Sequence, residues 1–569
     1  APGDGEGGGA ARPNILIYMP DDMQFFFPEA PPIPVANEKK GRSECEQPPM
    51  PALERLREEG TIFTRAYTAA PKCQPSRYAI MTSRFNSRSV VNQEYSKQTY
   101  GEDPAWDGRT EVGSKSALSG TDVDNTLAHA FKAAGYSTIM SGKWHISPGG
   151  AKLMEPEMYP QAVEEVEAAG FDEVASVWLS NMADTLPYSH NPEWMAATVN
   201  DAISRAHADG KPFFAYIAPT LPNNRGGHSA MFDFSVRDTP SGVLDEDPVS
   251  GMPSREQIWD EAVAATGQSD PDDTESADLE ANNIWMDYSL ASTLAHIEGL
   301  GMLDNTFIVA VMDHGMVGKG MIAESGARIL QVVRFPPLFP AGSTVRAAVS
   351  NIDIGATVLD LAGITPHYGL DGRSFLPLVN ASDDIAAGTP PATTPIGIEL
   401  GFQRALVRGR YKYISRGAIA SEDNALNEDT THPFASDAEQ LYDLVEDGAE
   451  MKENLVSDTR LAAELQQFRA DMQCHDGSTR ADGGATACSL DDVDADWIEV
   501  AQLGNDFAPC LATASDDTLV IVIVAVAAVA AVVGVVAVLA KTKKCCFAKA
   551  AASPPEQQSA ELPPVASPA

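Results

Sequence analysis

One short segment brings together residue types that could act jointly on an anion. Residues 71–77 read Pro-Lys-Cys-Gln-Pro-Ser-Arg, and Tyr-Ala-Ile-Met-Thr-Ser-Arg follows. Pro75 fits the first turn of a helix, because a residue without an N–H loses no hydrogen bond there. Cys73 is therefore predicted at or just before a helix N-terminus, where free amides and the helix dipole favour anions. Arg77 lies one turn further on the same face, so a sulfur atom, a fixed cation and an anion-binding backbone are expected together.

Two pairs of ligand-type residues follow short apolar runs that are typical of buried strands. Asp21 and Asp22 follow the run at residues 14–20, and Asp313 and His314 follow the run at 304–312. Open α/β sheets place their ligands at the carboxyl ends of strands. Adjacent buried carboxylates require a cation, and oxygen ligands suit a hard divalent metal. Histidine can complete a divalent site, although imidazole is an unusual ligand for calcium.

Further cations and an imidazole stand near other predicted strand ends. A helix at 125–135 and a strand at 136–140 lead to Lys143 and His145. In an extended segment these two side chains would point to one face. A cation beside an imidazole suits a developing oxyanion and a proton transfer. Lys319 is another candidate cation; taken singly, each of these residues also fits a solvated lysine or a structural histidine.

These elements, in this order, resemble type I sulfatases of the alkaline-phosphatase-like superfamily. The resemblance covers roughly residues 12 to 475. It rests on C-x-P-S-R at 73–77, on the strand before Asp21 and Asp22, on Gly-Lys-Trp-His at 142–145, on Asp313-His-Gly with Lys319, and on Leu-Tyr-Asp-Leu at 441–444 with Asn454-Leu455.

The resemblance implies a mechanism that an ordinary cysteine could not support. In this family a formylglycine-generating enzyme oxidises the cysteine of C-x-P-S-R, here Cys73, to formylglycine. The hydrated aldehyde has two hydroxyls on one carbon: one attacks sulfur, and the other, deprotonated by a base such as His145, expels sulfate. A serine or a cysteine has no second hydroxyl and would be left sulfated.

The resemblance also implies roles for the other candidates. The residues expected to hold a calcium ion are Asp21, Asp22, Asp313 and His314, together with residue 73. The residues expected to neutralise the sulfate oxygens and the developing charge are Arg77, Lys143 and Lys319.

One position departs from the family pattern. The buried strand predicted at 211–218 should lead to a Pro-His whose imidazole contacts substrate, but the chain reads Pro-Thr-Leu-Pro-Asn-Asn at 219–224. Asn223 therefore stands where histidine was expected. An amide can hydrogen-bond a sulfate oxygen but cannot protonate a leaving group. His228, in a glycine-flanked loop, could substitute, so both are candidate substrate-binding residues.

Composition limits the function classes. The 569 residues carry a formal net charge of −40, with a pI near 4.5. Such a charge excludes nucleic acid as an expected partner. The fold class expected is α/β, with a large mixed β-sheet sandwiched by helices. The catalytic domain is placed at 12–365, after a flexible leader at 1–11, and a smaller α+β domain at 366–473. Residues 222–281 are expected to be rich in loops, and 282–300 to form a helix.

The C-terminal region predicts a membrane anchor. Residues 519–540 are an uncharged run of Val, Ala, Ile and Leu with one Gly. This length spans a bilayer as a helix, which we place at 518–540 after a stalk at 474–517. Lysines at 541–544 place the tail, 541–569, in the cytoplasm. The catalytic part is then extracellular or lumenal, and Cys545 and Cys546 lie where S-palmitoylation is common.

The cysteine count agrees with an oxidising compartment. Of seven cysteines, five precede the apolar run. If Cys73 is oxidised, four remain, and their pairing is open among three connectivities. These four are Cys45, Cys474, Cys488 and Cys510. Asn380-Ala-Ser is a glycosylation sequon.

Two alternatives to a sulfatase are open from the sequence. The first is a phosphatase or phosphodiesterase of the same superfamily, although relatives that transfer phosphate use Ser or Thr where this chain has Cys73. The second is a catalytically impaired cell-surface protein that binds sulfated glycans, for which Asn223 is the support. The preferred interpretation is a sulfuric ester hydrolase acting on an extracellular sulfated glycan.

Overall fold

The apolar run at residues 14–18 forms the strand at the middle of a large sheet. The computed structural model describes residues 12–23, 49–103, 105, 107–113, 116–148, 156–180, 190–223, 231, 236–266, 274–316, 318–380, 395–417, 434, 436–450 and 452–478. All residues of this strand are buried, so both faces of the sheet are covered at its centre.

The strands have the following bounds: β1 Asn14–Tyr18, β2 Thr61–Phe63, β3 Ala66–Tyr67, β4 Ser137–Lys143, β5 Glu173–Trp178, β6 Phe213–Ala218, β7 Asp238–Thr239, β8 Gly242–Val243, β9 Thr306–Val311, β10 Arg328–Ile329, β11 Gln331–Arg334, β12 Ser343–Val345, β13 Val349–Ser350, β14 Ile396–Leu400, β15 Gln403–Arg408, β16 Tyr411–Ser415 and β17 Glu439–Asp443.

The helices have the following bounds: α1 Pro51–Glu59, α2 Cys73–Thr82, α3 Val90–Tyr100, α4 Leu127–Ala133, α5 Tyr159–Ala168, α6 Pro192–Ala208, α7 Arg255–Thr266, α8 Thr274–Gly299, α9 Glu324–Ala327, α10 Ile352–Ala362, α11 Leu376–Asn380 and α12 Ala462–Ser478.

The large sheet is mixed and has eight strands in the order β12-β2-β11-β9-β1-β6-β4-β5. Its middle is parallel, since β1 pairs in parallel with β6 and β9, and β4 does so with β5 and β6. Helices pack in two groups, one of α1, α6, α7 and α8 and one of α2, α4 and α10. Both groups share one hydrophobic core with the sheet. This architecture confirms the expected α/β class.

A second, antiparallel sheet has the order β14-β15-β16-β17. Because side chains alternate along a strand, its two faces bury different sets of residues. One face, with Val407 and Ile414, packs against Tyr67 and Ile322 of the first part of the chain. The other face, with Leu406, packs against the terminal helix α12.

The expectation that residues 222–281 are rich in loops is wrong in part. They contain α7 and the first turns of α8, which begins at Thr274 rather than near 282. In α7 the buried residues Ile258 and Ala262 stand one turn apart, and Arg255 is buried with them. Arg255 pairs with Glu193 and lies over the ring of Trp285. The sequence did not predict this helix for two reasons. The segment is acidic, which favoured a loop, and the inward-facing residues include the charged Arg255.

Several predictions on the ends of the chain lie outside the described residues. They concern the leader, most of the stalk, the 518–540 helix and the tail; within the described ranges no helix is long and apolar enough to cross a membrane. Cys73 is free and buried. No disulfide joins two described residues, Cys474 is disulfide-bonded, and the connectivity stays open among the three possibilities.

Candidate active site

Four neighbouring strands deliver most of the candidate residues to one edge of the large sheet. Strands β9, β1, β6 and β4 are adjacent and parallel, so their carboxyl ends coincide. Asp313 follows β9, Asp21 follows β1, Asn223 lies shortly after β6, and Lys143 ends β4. This is the edge at which open α/β sheets bind their ligands.

Cys73 reaches the same place from a helix. It is the first residue of α2, which confirms the predicted helix N-terminus, and it is 4% exposed. The approach to the helix is fixed by the buried Asn351, whose Oδ1 accepts from the amide of Ala69 at 2.8 Å. The Asn351 amide group also donates to the hydroxyl of Ser76 at 2.9 Å. The serine of the C-x-P-S-R segment therefore anchors the helix that carries Cys73.

Four buried side chains converge as ligands of a metal ion would. One ligand atom each from Asp22, Cys73, Asp313 and His314 lies within 4.8 Å of the others. His314 Nε2 is 3.3 Å from Cys73 Sγ and 3.2 Å from Asp22 Oδ1. Asp313 Oδ2 is buried and has no hydrogen-bond partner among the described residues; its charged neighbours are His314 Nε2 at 3.5 Å and Arg77 Nη2 at 3.8 Å. A buried carboxylate oxygen without a hydrogen bond in this cluster fits a divalent cation.

The charges in this cluster are arranged for a cation. Burial lowers the pKa of His314, but its interactions with Asp313, Cys73 and Asp22 outweigh that effect and raise the pKa well above its usual value. Burial raises the pKa of Asp313. The nearby His314 and Arg77 lower that pKa only in part, so it stays above its usual value. A metal ion would replace the proton on His314, since a ligating imidazole must be neutral.

Asp21 lies beside these four residues rather than among them. Both of its oxygens are 2.7 Å from Lys143 Nζ, and Oδ1 also accepts from Arg77 at 3.1 Å. Burial alone would raise the pKa of Asp21, but Lys143 and Arg77 hold it well below its usual value. Asp21 is therefore a buried anion matched by two cations, and its role as a metal ligand stays a prediction.

Arg77 is fully buried and makes its contacts within the protein. It donates from Nη1 to the carbonyl of Lys143 at 2.8 Å and from Nη2 to Asp21. Its Nε is buried with no hydrogen-bond partner among the described residues. These contacts tie α2 to the ends of β1 and β4, and a direct contact of Arg77 with a sulfate oxygen stays a prediction.

His145 lies next to Lys143, but not through the extended backbone that was expected. Its φ is 60°, in the left-handed region, so the rule that alternate residues share a face fails here. Burial lowers its pKa well below the usual value, and Lys143 and Arg77 lower it further. His145 is thus a neutral imidazole whose buried Nδ1 faces no hydrogen-bond partner among the described residues.

Lys319 contacts the cluster through Asp22, whereas Lys143 contacts Asp21. The Nζ of Lys319 is 2.6 Å from Asp22 Oδ1. Its side chain is 36% exposed, whereas that of Lys143 is 1% exposed, so Lys319 is the cation that solvent reaches. Burial lowers the pKa of Lys319, but Cys73 and Asp22 outweigh it and raise that pKa. The ammonium group is therefore charged at any working pH.

Asn223 lies in the site, where it contacts the carboxylate of Asp21. Its Nδ2 donates to Asp21 Oδ2 at 2.9 Å. His228, the proposed substitute for the expected histidine, lies outside the described residues. A different histidine, His190, is buried, and its Nδ1 is 2.7 Å from the hydroxyl of Thr220, three residues before Asn223. This contact could not be predicted from the sequence, because residues 190 and 220 are far apart in the chain and meet only in the folded structure.

Comparison with known proteins agrees with this geometry. The family model described as "Sulfatase" matches residues 13–364. An "Ulvan-active sulfatase" from Formosa agariphila is 23% identical over 461 residues, with 78% of this chain and 76% of that protein covered. A "Choline-sulfatase" from Rhizobium meliloti is 24% identical over 495 residues, covering 79% of this chain and 83% of that protein.

Solved structures share the fold. The PsFucS1 sulfatase from a Pseudoalteromonas species superposes with a TM-score of 0.52 at 16% identity, over 83% of this chain and 91% of that one. The matched family region contains β1, α2, β4, β6, β9 and Lys319, and therefore every element that carries a candidate residue.

Proposed function

This chain belongs to the sulfatase family and is a sulfuric ester hydrolase, and from that premise we propose that it acts through a formylglycine made from Cys73, beside a bound calcium ion. The observation that carries the proposal is the position of Cys73. It begins a helix, it is buried, and its sulfur lies among Asp22, Asp313 and His314. The partner this requires during maturation is a formylglycine-generating enzyme.

The chain's own residues would bind and orient the sulfate group. A hydrated formylglycine supplies two hydroxyls on one carbon, which allows sulfate to be taken up and then expelled. Lys319, reachable from solvent, would meet the sulfate first, and Lys143 would balance negative charge from the buried side. His145 would accept a proton at its unpaired Nδ1. Asn223 could donate its amide to a sulfate oxygen but could not act as an acid.

The residues proposed to hold calcium are Asp22, Asp313, His314 and residue 73. Calcium would supply a Lewis acid at this point of the site. The support is the carboxylate oxygen of Asp313 that has no hydrogen-bond partner among the described residues, together with the short distances among the four side chains. Asp21 stays a predicted ligand, and to bind the ion it would exchange at least one of its contacts with Lys143, Arg77 and Asn223, which together occupy both of its oxygens.

Adding calcium to protein treated with a chelator should raise its melting temperature. A ligand present at a thousandfold excess over its Kd stabilises the folded state by about 4 kcal/mol. Differential scanning fluorimetry with and without calcium measures the shift. Asp313→Asn should lose most of it, whereas Asp172→Asn, a partly exposed carboxylate paired with Lys132, should keep it. No shift in the unsubstituted protein, or an equal shift in Asp313→Asn, contradicts the calcium assignment.

The substrate class we propose is a sulfated glycan. The support is the name of the ulvan-active relative, at 23% identity. With a net charge of −40, the chain repels polyanions at long range, so capture must depend on local cations. Lys319 is the exposed cation of the site.

The mass of the tryptic peptide containing residue 73 tests the proposed chemistry. Cleavage after Lys72 and Arg77 gives a peptide of five residues. In protein from a secretory pathway this peptide should be about 18 Da lighter than its unmodified cysteine form. The same sample should release sulfate from sulfated polysaccharides and aryl sulfates faster than phosphate from the matching phosphate esters. An unmodified thiol in protein that turns over sulfate esters would refute the formylglycine route.

We further propose that the catalytic part is extracellular or lumenal and is anchored by the apolar run at 519–540. The support is the length of that run and the lysines after it. Retention of the full chain in the membrane pellet after a high-pH wash tests the anchor; release into the supernatant contradicts it.

A further inference from the structure

The segment that carries Lys319 lies between the active site and the small sheet. Its described residues are Gly315 and Met316, just after Asp313 and His314, and Gly318 to Ala327, where α9 ends. Close to Lys319, the amide of Gly320 donates to the carbonyl of Pro71 at 2.8 Å, which joins the segment to the approach to Cys73. The segment therefore contacts the residues that lead into α2.

The described part of this segment is tightly packed and leaves no space for a side chain at Gly318 or Gly326. Gly326 packs so closely on Gly318 that a Cβ placed on Gly326 would be 2.1 Å from the Gly318 carbonyl oxygen. The amide of Gly318 in turn donates to the carbonyl of Ser325 at 3.2 Å. Because these residues are locked together, a displacement at Glu324 or Ser325 would be passed on to Lys319.

Glu324, the first residue of α9, is held by an ion network from the small sheet. Its Oε1 is 3.1 Å from the Nζ of Lys412, a fully buried lysine on β16. Lys412 also pairs with Glu450 at 2.9 Å, and Glu450 Oε2 accepts from the amide of Glu324 at 2.8 Å. The Tyr67 hydroxyl donates to the other oxygen of Glu324 at 3.1 Å. Both the side chain and the backbone of Glu324 are thereby fixed.

Apolar contacts reinforce the same junction. Ile322, between Lys319 and Glu324, is buried in a cluster with Ile398 and Ile414 of the small sheet. Tyr67, which precedes the Cys73 helix, belongs to the same cluster. The face of the small sheet that carries Lys412 therefore contacts both segments that lead to the active site.

We propose that Lys412 and Glu450 are positioning residues of the active site, which hold Glu324 and through it set the place of Lys319. The inference rests on the proposed role of Lys319 as a sulfate-binding cation. A buried ion pair is weak evidence for stability, because the loss of hydration offsets much of the attraction. The ion pairs of Lys412 hold Glu324 at the end of the Lys319 segment, and their effect is to position that segment rather than to stabilise the fold. The small sheet is then part of the catalytic apparatus rather than an appended domain.

Lys412→Met should lower kcat/KM for a sulfate ester by about tenfold to a hundredfold, since a displacement near 1 Å can have an effect of that size. It should also weaken competitive inhibition by inorganic sulfate. Combined with Lys319→Ala, it should add little, because residues that act through one another are not additive. Glu450→Gln, which keeps an acceptor for the Glu324 amide, is the milder variant and should show the same pattern with a smaller loss.

The matched control is Arg408→Met. Arg408 is a buried cation on the neighbouring strand β15, but it faces α12, where it pairs with Asp471 and lies over the ring of Phe468. Its removal should lower the melting temperature and leave kcat/KM within about twofold at temperatures where the variant is folded. Comparing Lys412→Met with Arg408→Met therefore distinguishes an effect of lower stability from an effect of displacing Lys319.

Hydrogen exchange separates this inference from the proposed function, because it requires no turnover. Peptides covering residues 316–327 should exchange faster in Lys412→Met and Glu450→Gln than in the unsubstituted protein or in Arg408→Met. Faster exchange in these variants supports the positioning role of Lys412 and Glu450 even if the protein proves inactive on sulfate esters. Unchanged exchange in this segment, or an effect of Lys412→Met that simply adds to that of Lys319→Ala, overturns it.

Discussion

Replacing Cys73 with serine should leave an enzyme that reacts once and then stops. A serine hydroxyl at the start of α2 can attack the sulfate ester among Asp22, Asp313 and His314. It has no second hydroxyl on the same carbon with which to expel sulfate. Steady-state turnover should therefore fall by about four to six orders of magnitude, the loss seen when a nucleophile is removed from an enzyme.

Rapid-quench measurement of the released alcohol checks this result. One equivalent should appear and no more, and the residue 73 peptide should become heavier by about 80 Da as a sulfate ester. Cys73→Ala is the matched control, since it has neither hydroxyl and should give no burst and no added mass. Sustained turnover by the serine variant at the rate of the unsubstituted protein contradicts the proposed chemistry.

Replacing Lys143 with alanine should lower kcat by about two to three orders of magnitude, the usual effect of removing one preorganised group that stabilises developing charge. The reason lies in its position: Lys143 is 1% exposed and contacts both oxygens of Asp21. Without Lys143, Asp21 keeps Arg77 and Asn223 as partners, and its negative charge is less fully compensated. Breaking such a buried pair also costs about 3–5 kcal/mol of stability, so activity must be compared below the melting temperature of the variant.

Steady-state kinetics with a chromogenic aryl sulfate, paired with a melting curve, measures both effects. Lys132→Ala is the control, because Lys132 is 46% exposed and pairs with Asp172 at the surface. Surface ion pairs contribute about 0–1 kcal/mol, so this variant should retain normal kinetics. Unchanged sulfatase turnover in Lys143→Ala would remove the catalytic role assigned to Lys143.

The sequence was sufficient to place most of the site at one edge of the sheet. Asp21, Asp313 and Lys143 each follow an apolar run, and parallel strands put such residues side by side. The start of α2 at Cys73 could also be predicted, since Pro75 and the small residues before it act locally. These features depend on neighbours in the chain, which is why a sequence alone reveals them.

What the sequence could not reveal depends on contacts between distant segments. The left-handed backbone at His145 has no local signal, because histidine is not a residue that requires it. The partners of Asp21 come from positions 77, 143 and 223, and they are assembled only by the sheet order. The buried Lys412 reads as an ordinary surface lysine until its two glutamates are seen to surround it.

The burial of Cys73 has a consequence for the order of biosynthesis. In the folded chain this side chain is 4% exposed and α2 is fixed through Ser76 and Asn351. If Cys73 is converted to formylglycine as proposed, the modifying enzyme has to reach a side chain that the folded chain covers. Conversion would then precede closure of the large sheet around α2. A copy that folded first would keep its thiol, so the fraction of active molecules would depend on the relative rates of folding and modification.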